Sequence, residues 1–234
     1  YNSISNYIYV SKSYRSSITR LSGNNVLKFE EDSLNYFEDL AKAGNDYETI
    51  LNTNYNNLNE ENSSNEVYKD TLFIGDSRTQ GMLNAGLINN NNTVYGSGYG
   101  YNWLIGEGSF ESSKTNATEG AIKEINSKMR NNASYNIVIW LGINDYHSKN
   151  AETYYNKFEE LAKGEWSNHT IYVVSLGPVD DELAKNVSNE EINSFNSELK
   201  NLVEQSSLSN LKYIDLNLTE EDIKTFDKEG LHYS

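Results

Sequence analysis

Hydrophobic and polar positions follow two different rhythms along the chain. From Lys69 onward, short apolar runs alternate with segments whose apolar residues recur every three or four positions. The runs Thr71–Ile74, Thr93–Tyr95, Ile137–Leu141, Ile171–Leu176 and Leu211–Leu216 have strand length and little polar alternation, which predicts buried strands. Between them, Ala121, Ile122, Ile125 and Met129 share one helical face. So do Tyr154, Tyr155, Phe158, Leu161 and Ala162, and later Ile192, Phe195, Leu199, Leu202 and Val203. Arg78–Leu87 is expected to form a helix directly after the first strand. Continuous apolar strands separated by amphipathic helices predict an α/β fold: a parallel sheet of about five strands, covered on both faces. The functional crevice of such sheets lies beyond the carboxyl ends of the strands. Residues that follow each strand are therefore the candidates for chemistry.

Residues 1–68 are patterned differently. Tyr7–Val10 and Ile18–Leu21 are short β-favouring runs. Leu34, Phe37, Leu40 and Ala41 then fall on one helical face behind Ser33, a suitable cap, and Tyr47–Leu58 suggests a second helix after Gly44-Asn45. The polar stretch Asn59–Asn65 reads as a linker. This gives a mainly helical N-terminal extension with linker (1–68) before a domain at 69–234. The helices of 33–58 are expected to cover sheet surface.

Length changes this picture little: 234 residues correspond to roughly one and a half domains. Charge and cysteine content exclude more. A formal net charge of −15, with no basic cluster to offset it, makes nucleic acid an unfavourable partner. With no Cys, disulfides, thiolate nucleophiles and Cys-ligated metal centres are all excluded. Three His without paired spacing argue against a His-based metal site, and no cofactor is implied. No apolar run approaches a membrane span, so no integral membrane segment is expected in this chain. The chain starts at Tyr1 rather than Met, which is expected of a processed product, with any signal or anchor segment outside this sequence. The composition suits an extracellular or bacterial cell-surface location.

The strand ends carry a coherent set of groups. Gly75-Asp76-Ser77-Arg78 follows the first strand. Gly96-Ser97-Gly98-Tyr99-Gly100 follows the second, Gly142-Ile143-Asn144-Asp145 the third, and Glu229-Gly230-Leu231-His232 lies near the chain end. A serine hydroxyl needs an adjacent base to act as a nucleophile, and imidazole suits that task. The imidazole needs an acceptor to fix its tautomer. Fixed N–H donors must then meet the charge that develops on the carbonyl oxygen. Backbone amides of Ser77 and Gly100, with the Asn144 side chain, could supply them. Asp76 is expected to accept from loop amides, Arg78 to lie at the surface, and Asp145 to cap the following helix. Gly98, Tyr101, Trp103 and His147 are candidate substrate-lining residues.

The segments Phe73-Ile-Gly-Asp-Ser-Arg78, Leu141-Gly-Ile-Asn-Asp145 and Gly230-Leu-His-Tyr-Ser234 resemble blocks of the SGNH/GDSL esterase and acylhydrolase superfamily. The resemblance runs from about Thr71 to the end. It implies a flavodoxin-like three-layer fold with Ser77 as nucleophile, His232 as base, and Ser77, Gly100 and Asn144 as the oxyanion hole. Gly96 and Gly98 share the Gly100 loop. The family's acid usually stands three residues before the His as Asp. Here Glu229 holds that place and Asp227 stands five before. Glu229 is the favoured acid and Asp227 the alternative, with a Ser–His dyad as a third arrangement.

Together these features predict a serine esterase or acylhydrolase. It would remove small acyl groups, acetyl among them, from a small ester or an acylated glycan through an acyl-enzyme. Transfer of the acyl group to a surface polysaccharide hydroxyl is one alternative. The other is a non-catalytic cell-surface binding module on an esterase scaffold. Oligomeric state is not legible in the sequence.

Overall fold

The computed structural model describes residues 70–131, 133–223 and 225–233. The extension, its helices and its linker therefore lie outside the described residues. Five parallel strands, β1 (Thr71–Gly75), β2 (Thr93–Tyr95), β3 (Asn136–Trp140), β4 (Thr170–Val174) and β5 (Leu211–Ile214), form one sheet in the order β2-β1-β3-β4-β5. This is the flavodoxin-like order. The strand positions match the apolar runs of the sequence within a residue or two.

Among the described residues, five α-helices accompany the sheet: α1 (Ser77–Asn84), α2 (Tyr101–Ile105), α3 (Ala121–Lys128), α4 (Ala151–Lys163) and α5 (Asn189–Gln205). Alternate strand residues point to opposite faces, so each strand feeds two cores. Leu72, Ile74, Ile137, Ile139, Ile171 and Val173 face α2 to α5. There they meet Trp103, Ile125, Tyr154, Phe158, Phe195 and Leu199, all buried. Phe73, Val138, Trp140, Val174 and Ile214 point the other way, onto Met82 of α1 and the Ile88 and Leu216 loops. Both faces of the sheet thus carry helix, but the α1 face is covered by far less described structure than its opposite.

Register brings the strand ends to one level. Gly75 at the end of β1 pairs with Tyr95 of β2 and with Trp140 of β3. The chain therefore leaves the sheet at Asp76, Gly96 and Leu141 side by side. In this arrangement the order in which strands are added reverses between β1 and β3, the crevice where ligands bind in open α/β sheets. Ser77 follows one of those strands and Asn144 the other. The short helix α2, inside the glycine-rich segment, has no counterpart in the sequence reading.

Candidate active site

The turn from β1 into α1 is built by Gly75 and Asp76. A Cβ on Gly75 would overlap the Thr79 hydroxyl and the Trp140 carbonyl, so only glycine permits this approach of helix to sheet. Asp76 is the N-cap of α1: its Oδ1 accepts from the Arg78 N–H at 2.9 Å. The role expected for it as an acceptor for loop amides is what the structure shows. Burial raises its carboxyl to about 6, only partly opposed by the charge and N–H of Arg78 and by the charge of His232. Ser77 is the first residue of the helix, where the backbone N–H has no intrahelical acceptor.

His232 reaches Ser77 from the far end of the chain. Its Nε2 lies 2.7 Å from Ser77 Oγ, and its Nδ1 lies 2.6 Å from Asp227 Oδ2. A carboxylate only accepts, so Nδ1 carries the proton and donates it to Asp227. Nε2 is then the acceptor for the Ser77 hydroxyl. The side chains of His232 and Asp227 are 36% and 29% exposed, so the pair sits at a rim and not in the core.

The carboxylate that meets His232 Nδ1 is that of Asp227 and not of Glu229, and the reason is the fold of the final loop. Phe226 and Tyr233 form an antiparallel bridge. Inside it, Asp227 N–H donates to the His232 carbonyl at 2.9 Å, and Gly230 N–H donates to the Asp227 carbonyl at 3.0 Å. Residues 227 and 232 therefore stand opposite each other across a tight turn. Gly230, at φ +70°, supplies the left-handed step that turn needs. Glu229 lies on the turn itself, exposed, and its backbone N–H donates to Asp227 Oδ1 at 3.2 Å. The N–H groups of Leu231 and His232 reach the same oxygen at 3.0 and 3.3 Å. Burial alone would raise the Asp227 carboxyl. The imidazole and backbone donors outweigh it and hold the group below the usual carboxylate range. His232 Nδ1 is thus met by a carboxylate rather than by backbone.

The glycine-rich segment is tied to the loop after β3 by two adjacent residues. The Asn144 amide donates to the Tyr99 carbonyl at 2.9 Å, and Tyr101 N–H donates to Asp145 Oδ2 at 2.7 Å. Asp145 Oδ1 accepts from the Tyr154 hydroxyl at 2.6 Å. Asp145 thus caps α2, and the cap of the following helix α4 is Asn150 instead. Burial raises the Asp145 carboxyl, against the pull of the Tyr154 and Tyr101 donors. Between these two ties sits Gly100, where a Cβ would overlap the Asp145 carboxylate. Among the described residues, no acceptor meets the backbone N–H of Gly98 or Gly100. Gly98 is exposed at φ +76° with open space around its Cα.

The other three candidate lining residues differ in their surroundings. Trp103 is fully buried: its ring lies under Gly96, and its indole N–H donates to Thr115 Oγ1 and the Ala117 carbonyl, both at 3.1 Å. It is a core residue. Tyr101 is half-buried, edge-on to Tyr154 with its ring 5.3 Å from Lys149 Nζ. His147 is exposed, stacked on Tyr146, and its Nε2 lies 2.8 Å from the Asn186 carbonyl. It lines a hollow of about 560 Å³ together with Asp181, Asn186 and Glu191.

Arg78, expected at the surface, is 4% exposed. Nothing in hydrophobic patterning marks such a residue. The one available signal was its position, immediately after the serine at the start of a buried helix turn. Among the described residues, no group of three or more His, Asp or Glu side chains is arranged to hold a metal ion. None of the described helices is long and apolar enough to cross a membrane.

No protein-family model matches the chain, and no curated protein matches it. Among solved structures it is similar to one described as "a putative platelet activating factor from Streptococcus pneumonia". The match has a TM-score of 0.51 at 16% identity and covers 81% of this chain and 92% of that one. At that identity the likeness is one of fold: the chain has the α/β architecture of that protein, a five-stranded parallel sheet flanked by helices.

Proposed function

We propose that the protein is a serine esterase of the SGNH/GDSL kind, with residues 69–234 as its catalytic domain. The observation that carries this reading is the relay Ser77 Oγ–His232 Nε2 at 2.7 Å and His232 Nδ1–Asp227 Oδ2 at 2.6 Å. It stands at the sheet's reversal point, where ligands of this architecture bind. Ser77 Oγ attacks the ester carbonyl carbon while its proton passes to His232 Nε2. Asp227 holds the ring in the Nδ1–H tautomer and stabilises the imidazolium. The tetrahedral oxyanion is met by N–H donors from Ser77, from Gly98 or Gly100, and from Asn144. Losing one such donor typically costs about 10²–10³ in rate. Collapse breaks the bond to the alcohol, which leaves with the proton from His232. Water, deprotonated by the same ring, then attacks the acyl-Ser77 carbonyl and restores the serine.

The finer reading is removal of small acyl groups, acetyl among them, from an acylated glycan at a bacterial cell surface. Its support is the resemblance of the three sequence blocks and the half-exposed Tyr99 beside the glycine loop. The fold likeness to the Streptococcus pneumonia protein is consistent with a hydrolase. Asp227 bonded to His232 supplies the third member of a relay, which favours the esterase reading over the binding-module alternative. A fluorophosphonate probe should label the protein and p-nitrophenyl acetate should be turned over, with Ser77→Ala abolishing both. A folded wild type inert to both would favour the binding module. Acetylated polysaccharides assayed beside short-chain lipid esters would separate the substrate classes.

A further inference from the structure

We propose that Arg78 is the positioning residue that holds the base against the nucleophile; this rests on the esterase reading above. Arg78 follows Ser77 directly in the chain, and its guanidinium reaches the residues on both sides of His232. Its Nε donates to the Leu231 carbonyl at 3.1 Å. Its charged carbon lies 5.1 Å from the centre of the Tyr233 ring and 5.9 Å from that of Trp140 at the end of β3. The two terminal nitrogens donate to the carbonyls of Gly177 at 3.0 Å and Pro178 at 3.1 Å, just past β4. The Tyr233 hydroxyl donates to the same Pro178 carbonyl at 2.9 Å, and a Cβ on Gly177 would overlap that hydroxyl.

Energetics explain why this cation is buried. A guanidinium is planar, weakly hydrated and fork-shaped, so three carbonyls and two ring faces can replace its water. The neighbouring Asp76 carboxyl accepts from the backbone N–H of Arg78, not from its side chain, and acts on the guanidinium through charge alone. The consequence is geometric. His232 sits in a loop six residues from Phe226, near the chain end, with side-chain exposure of 36%. Its bonds to Asp227 are internal to that loop and move with it. The Arg78 contacts with Leu231 and Tyr233, and that of Tyr233 with Pro178, tie the loop to the helix that carries Ser77. A misplacement of about 1 Å at such a site can cost on the order of 10²-fold in rate.

The test uses the full chain with Arg78→Met, Arg78→Lys and wild type. Circular dichroism and Tm establish folding, and p-nitrophenyl acetate gives kcat and KM separately. The His232 Nδ1–H proton resonance reports the ring independently of turnover. Folded Arg78→Met is expected to lose about 10²-fold in kcat with KM within twofold, and to lose that resonance. Arg78→Lys, which keeps the charge but not the fork, should fall between Met and wild type. Folded Arg78→Met with kcat within twofold of wild type and an intact resonance would overturn the proposal. If Arg78→Met does not fold, Arg78→Lys decides: a tenfold lower kcat at unchanged KM supports it, and wild-type kcat overturns it. If wild type itself turns over no ester, the esterase reading fails. The resonance then decides alone, its loss in Arg78→Met supporting the positioning role and its retention contradicting it.

Discussion

His232 is held from two sides, by Ser77 at Nε2 and by Asp227 at Nδ1, while Glu229 joins this arrangement through its backbone N–H, which donates to Asp227 Oδ1. Truncation should separate the two acids sharply. Asp227→Ala is expected to lower kcat by about 10³–10⁴, the cost of a mis-set imidazole. Glu229→Ala should leave kcat within twofold, and steady-state kinetics on p-nitrophenyl acetate reads both. This register was not legible in the sequence. Whether a carboxylate three or five residues before a histidine faces its ring depends on how the turn closes, and Gly230 with Asp227's own backbone bonds decides that. Arg78 was hidden for a related reason: charge places an arginine outside unless its carbonyl partners, here from residues 177, 178 and 231, can be foreseen.

Asp76 makes a second prediction at the same scale. Its carboxyl titrates near 6 in the folded protein, against 3.8 ordinarily, because it is buried. The folded state therefore binds more protons than the unfolded state between those values, so this group's contribution to stability falls as pH rises from about 4 through about 6. Asn at position 76 can still accept the Arg78 N–H but does not ionise. The Tm of Asp76→Asn relative to wild type should thus rise between pH 4 and pH 7. A flat difference across that range would contradict the burial argument.

At the scale of elements, the strands were legible because a parallel strand buried on both faces is a nearly unbroken apolar run, as Ile137–Ile139 shows; β5, which carries the exposed Lys212, was legible from the apolar residues around it. The long helices declared themselves by periodicity. Helix α2 did not: it spans five residues and emerges from Gly100, and it stands because Asp145 accepts its first N–H. Two glycines should then respond oppositely to alanine. Gly81, exposed in α1 with open space around it, should tolerate Ala and gain about 0.4–1 kcal/mol of stability with activity unchanged. Gly100→Ala forces a methyl into the Asp145 carboxylate and should lower both Tm and kcat. Urea melts beside p-nitrophenyl acetate kinetics on both variants measure the contrast.

Over the whole molecule, the site's neighbourhood was legible from the rule that strand ends share one rim, and parallel register puts Asp76, Gly96 and Leu141 at one level. What periodicity could not convey is the imbalance of the layers, with four helices on one face and α1 alone among the described helices on the other. The expectation that residues 33–58 cover sheet surface implies that deleting 1–68 lowers Tm; an unchanged Tm would refute it. The net charge of −15 also acts at this scale. A neutral ester should have a higher kcat/KM than an anionic ester of the same acyl group, by a margin that shrinks as salt rises. In the proposed reaction Ser77 forms a covalent acyl bond with assistance from His232. Mass spectrometry of the protein after reaction with a fluorophosphonate tests it most directly. One adduct, mapped to Ser77 and formed at least about 10²-fold more slowly in folded His232→Ala, is the expected result. An adduct elsewhere, or labelling of Ser77 at an unchanged rate without His232, would contradict it.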